Sequence, residues 1–177
     1  GQGTGQGNRI GDKITPKKWS IRGYIHNNGS LAVPAIVKMY VFKMKQGYDD
    51  PSAGTNLPSD FFQYGSSTIA PQNSFQDMLR PVNSDKYTLY ASRTFKVGSA
   101  GSGTNLNNDF KCVCPFNINL FKYQKSKIIF NDTSTTPINS GLYVCFAIAN
   151  YDGSAMVITS PGAPQLSYDV IGEYEDA

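Results

Sequence analysis

The chain has 177 residues, a formal net charge of +3 and only 16% charged residues, against 40% hydrophobic ones. That length suits one domain with a real core. The charge excess is too small to establish nucleic-acid binding, and no apolar run nears the ~20 residues that cross a bilayer.

The chain opens with glycine at positions 1, 3, 5 and 7, a composition that reads as a flexible linker. Residues 1–13 are therefore expected to be a Gly-rich lead from a basic N-terminal arm that precedes them, and residues 14–177 the folded domain. The same glycines do not make a phosphate loop, because no strand comes before them.

From there the dominant pattern is alternation with a period of two in short segments. The first predicted strand covers 14–26, with Trp19, Ile21 and Ile25 on one face and Lys18, Ser20, Arg22 and Tyr24 on the other. Pro16 marks a bulge or an edge within it. The second covers 32–45 and is apolar on both faces, which predicts a strand buried between layers. Residues 46–83 read as a long interaction loop, with single helical turns at 59–62 and 76–79. The third strand, 86–97, puts Tyr87, Leu89, Ala91 and Phe95 on one face. The fourth, 110–121, alternates Phe110, Cys112, Cys114, Phe116, Ile118 and Leu120. Shorter strands follow at 127–130 and 155–159, with a longer one at 142–150. The last, 165–174, carries Leu166, Tyr168 and Val170 on one face.

Eight strands and no long helix predict an all-β fold: a single eight-stranded antiparallel jelly roll of two packed four-stranded sheets with long loops. An immunoglobulin-like sandwich is the main competitor, and the long loops and the lack of a Cys…Trp…Cys pattern favour the jelly roll over it.

Catalytic chemistry finds little support. His26 is the sole histidine: it could serve as a base only once and nothing marks a nucleophile beside it, and a cupin-type metal set cannot be assembled from it. Cys112 and Cys114 are expected to be small buried hydrophobes. Asp49-Asp50 and the Glu173, Glu175, Asp176 tail read as solvated acids. No catalytic residue, metal site or cofactor is expected. The basic residues Lys13, Lys17, Lys18 and Arg22, with Trp19 and Tyr24 among them, suit the backbone and bases of a nucleic-acid single strand. Lys122, Lys125 and Lys127 form a second basic group. Tyr48, Phe61, Phe62 and Tyr64 are candidate aromatics for a subunit interface, or for stacking on sugars.

The run from Gly3 to Ile14, ending Arg9-Ile10-Gly11-Asp12-Lys13-Ile14, and the following Ile21-Arg22-Gly23 resemble the start of the barrel in capsid proteins of small circular Rep-encoding single-stranded DNA viruses, the circovirus-like group. Val37 to Phe42, Thr94-Phe95-Lys96-Val97, Asn117-Ile118-Asn119-Leu120 and Gly141-Leu142-Tyr143-Val144 resemble later strands of that family. The resemblance implies a virion protein, assembled in the host nucleus or cytoplasm, that builds an icosahedral shell from copies of itself around a single-stranded DNA genome. It implies no membrane and leaves the host receptor open. The basic arm of the family is absent from this sequence. Coat proteins of small RNA or satellite viruses, and a lectin-like carbohydrate-binding domain, are the alternatives that share the architecture.

Overall fold

The computed structural model describes residues 13–27, 34–45, 57–98, 112–130, 139, 142–157 and 163–176. Among them lie nine strand segments and one short helix: β1 Lys13–His26, β2 Ala35–Met44, β3 Phe62–Tyr64, β4 Ser67–Ile69, α1 Phe75–Leu79, β5 Tyr87–Val97, β6 Val113–Asn119, β7 Ile128–Ile129, β8 Leu142–Asn150 and β9 Gln165–Asp176. Every strand pairing is antiparallel, so the fold is all-β.

Two sheets form a sandwich, each built around a central strand. In the first, β9 follows one edge of β1 almost end to end, while β6 and β7 share the other. The Pro16 expectation holds: the β1–β9 register shifts between Pro16 and Lys18. In the second sheet β2 lies between β5 and β8. Ile21, Ile25 and Phe116 from the first sheet meet Val37, Met39, Val41 and Phe95 from the second, forming the main core.

β2 is buried along nearly its whole length. Alternation sends Val37, Met39 and Val41 into the main core and Tyr40, Phe42 and Met44 to the opposite face. A third layer covers that face. Leu57, Phe61 and Phe62, with Ile69, Met78 and Val82 at the margin, close on Tyr40, Phe42 and Tyr87. α1 therefore stands where a single helical turn was expected, and the β3–β4 hairpin comes from a stretch expected to be loop. Its loop is two residues long, and Gly65 supplies the positive φ (61°) that such a loop demands. Asp77 holds the N-terminal end of α1 by accepting the Gln72 and Ser74 N–H groups.

Four expectations are corrected. The described residues give a four-stranded and a three-stranded sheet plus a hairpin, rather than two four-stranded sheets. Residues 59–60 are a turn leading into β3, not a helical turn, although the turn expected at 76–79 is α1. Residues 155–157 are not strand. The single apolar face of the third strand is broken by a bulge, because Val41 pairs with Ala91 while Phe42 pairs with Leu89. The extra residue, Tyr90, turns Tyr87 toward the third layer and leaves Ala91 and Phe95 on the main core. Leu89 ends up 42% exposed.

Candidate assembly and nucleic-acid surfaces

Pairing of β1 with β9 decides the fate of the basic strand. Lys17 Nζ lies 2.9 Å from Glu175 Oε2, and Lys18 Nζ lies 3.4 Å from Glu173 Oε1. Arg22 stands opposite Asp169 in the ladder. The basic face and the acidic tail, two separate features in the sequence, are thus zipped side by side. All of these groups are exposed, so the pairs add little stability. They do place carboxylates beside Lys17 and Lys18, which weakens the positive field that a phosphate backbone would meet there. Lys13 is exposed at the start of the strand.

The second basic group sits differently. Lys122, Lys125 and Lys127 are exposed on the turns between β6 and β7, and no carboxylate pairs with them among the described residues. Lys122 Nζ lies 4.5 Å from the Tyr123 ring centroid. Tyr123 stacks at 5.3 Å on Tyr90, the bulge residue of β5. Tyr90 is partly exposed and Tyr123 half-buried against the main core, and cations beside aromatic rings are the elements of single-strand binding. The prediction is a differential one. Lys125→Glu with Lys127→Glu should weaken single-stranded DNA binding more than Lys17→Glu with Lys18→Glu, measured by fluorescence anisotropy at fixed salt. Conversely, Glu173→Gln with Glu175→Gln should steepen the salt dependence by roughly 0.7 in log–log slope per lysine freed.

The candidate interface aromatics separate. Phe61 and Phe62 are fully buried, so both are core residues of this chain rather than surface anchors, and a four-aromatic sugar platform is lost with them. Tyr64 is 69% exposed at the end of β3. Tyr48, like Asp49-Asp50, lies outside the described residues. Cys112 is exposed, not buried as expected, because it precedes the strand proper; Cys114 is half-buried. Cys145 is the thiol that behaves as a core hydrophobe, and burial pushes it up to about 11. His26 is half-buried at its strand end, with Nε2 3.2 Å from Ser167 Oγ.

At the third layer, Asp60 accepts hydrogen bonds from Lys86 Nζ and Tyr87 Oη, both at 2.6 Å. Burial alone would raise its carboxyl, but these two donors outweigh burial and hold it below the usual range. A depressed carboxyl stabilises the fold above the unfolded value of about 3.9, and that contribution is lost as pH falls through the folded value. Denaturant midpoints should therefore drop below about pH 4, and Asp60→Asn should flatten the drop.

Sequence reasoning missed Asp169, Glu173 and Glu175 as partners of the basic strand. It also missed that the apolar face of the last strand would stay open: Leu166, Tyr168 and Val170 are 37, 58 and 49% exposed. No group of three or more metal-ligating side chains occurs among the described residues, and no helix there is long and apolar enough to cross a membrane. No protein-family model matches the chain, and neither a curated protein nor a solved structure matches it.

Proposed function

We propose that this chain is a capsid subunit: a jelly-roll coat protein that assembles with copies of itself into an icosahedral shell around a single-stranded DNA genome. The observation that carries this reading is where apolar surface remains uncovered. Large hydrophobic side chains are exposed on several separate parts of the molecule: Tyr24 and Tyr168 on the first sheet, Tyr64 and Leu79 on the third layer, Leu89 on β5, Tyr151 and Val157 beyond β8. A shell subunit meets neighbours on several sides, and apolar side chains spread over separate surfaces fit contacts of that kind. The low charge of the chain fits, because few charges must be desolvated when neighbours close in.

The jelly-roll topology is supported by nested pairing. The first long strand pairs with the last, β1 with β9, and the second with the one before it, β2 with β8, as when a long hairpin is rolled over. Genome contact is assigned to the lysines at 122–127 and their tyrosines ahead of the carboxylate-paired β1 face.

Light scattering and negative-stain microscopy of the purified chain test the reading, with nuclease digestion of any co-purified nucleic acid. Closed particles whose contents resist DNase until they are opened are expected. A stable monomer across all salt and pH conditions sinks the proposal, and contents cut only by RNase move it to the RNA-virus alternative.

A further inference from the structure

The outer half of β9 is built as an unfinished edge. Its one ladder partner among the described residues is β1, so from Gln165 to Val170 no described strand lies beside its far edge. Both faces of this half are exposed. By register, Leu166, Tyr168 and Val170 lie opposite Ile25, Gly23 and Ile21, which places them on the core side of the sheet. The main core includes Ile21 and Ile25 but not these three. Gly23 keeps the strand close at this point. A Cβ there would collide with the Ser167 carbonyl oxygen and come within 2.8 Å of Tyr168 Cα. An edge with an apolar face and one charge in six residues is a template for another strand, because proteins that avoid such pairing place charges, prolines or bulges there.

We propose that β9 pairs antiparallel with β9 of a second copy of this chain, across a two-fold axis at Tyr168. This rests on the assembly reading and names one of its contacts. Register selects the centre. With Tyr168 opposite itself, Leu166 of each copy faces Val170 of the other, giving a continuous apolar face of six side chains. Ser167 faces Asp169, a hydroxyl donor against a carboxylate on the opposite face. Gln165 faces Ile171, and Glu173 falls opposite Ala163, clear of the other copy's acids. Moving the axis one residue to Asp169 sets two carboxylates face to face, where like charges are destabilising. A two-fold contact is self-complementary, and closed shells contain such axes.

The test places a thiol on the axis. In a Cys112→Ser, Cys114→Ser background, Tyr168→Cys should give a disulfide-linked dimer as the main species on mild oxidation, with a 168–168 linkage by peptide mass spectrometry. Tyr24→Cys, similarly exposed on the neighbouring strand, should give none. Hydrogen exchange on the unmodified chain guards against a folding defect in the variant. Amides on the outer edge of β9 should gain protection as the concentration rises through association. Particles that form with no 168–168 link and no protection of β9 overturn the strand pairing and leave the shell reading standing. An unmodified chain that stays monomeric at every concentration overturns both.

Discussion

Phe61→Ala should lower the stability of the fold by about 3–5 kcal/mol, read as a shift in urea midpoint. Phe61 is fully buried, with its ring 4.7 Å from Phe42, 5.2 Å from Tyr40 and Phe62, and 5.3 Å from Tyr87. Truncation opens a cavity at the meeting point of four aromatic rings. Those rings sit on short connecting elements and on two strands that are fixed from behind by the main core, so collapse can fill the cavity only in part. Tyr64→Ala, three residues along and exposed, should stay within about 0.5 kcal/mol of the parent. A Phe61→Ala chain that keeps its stability but loses association would return this residue to the interface role expected from sequence.

Asp77→Ala should cost about 3–5 kcal/mol. Asp77 is fully buried; its Oδ1 lies 2.8 Å from Arg80 Nη1, and its Oδ2 accepts the Gln72 N–H at 2.7 Å. Removing the carboxylate strands a guanidinium whose side chain is 10% exposed. The neutral amides of Gln72 and Gln76, which also accept from Arg80, cannot replace the lost charge. The damage should be confined at first to the third layer. Tyr40 Oη still reaches the backbone carbonyl of residue 77, and Lys38 Nζ that of Met78, but the turn that presents those carbonyls loses its anchor. Dye binding to newly exposed Tyr40 and Phe42 should therefore precede loss of the main sandwich signal in a denaturant series. Coincident transitions would show that the third layer is not a separable unit.

Much of the sandwich was legible because alternation reports directly on burial. The pattern of 142–150 marks β8 to the residue, and the two-sided apolar character of β2 foretold a covering layer without saying what would cover it. The cover was missed because 57–83 carries its apolar residues in pairs and singles, Phe61-Phe62, Ile69, Met78 and Val82. Segments of three residues are too short to show a period. The bulge at Tyr90 was invisible for a related reason. One inserted residue leaves the sequence alternation intact while swapping the faces on either side of it. The charge pairing along β1 and β9 depends on which strands become neighbours, and nothing local specifies that. Local pattern also marks Leu166, Tyr168 and Val170 as inward-facing without revealing that nothing in the main core closes over them.

The central position of β1 and β2 has a consequence for how the chain reaches this state. Both are early in the sequence, yet their long partners β9 and β8 come late; the Lys18–Glu173 contact spans 155 residues. Neither sheet can be completed on the ribosome until the last strands have emerged. Until then β1 and β2 each keep one edge bare, the other being covered by β6 and by β5. Closure of such long loops is slow, and unpaired strands awaiting it are open to wrong partners. Under the assembly proposed above, recruitment of further copies has to wait until β9 is seated, and shortening the chain by that one strand should yield aggregate rather than a smaller soluble domain.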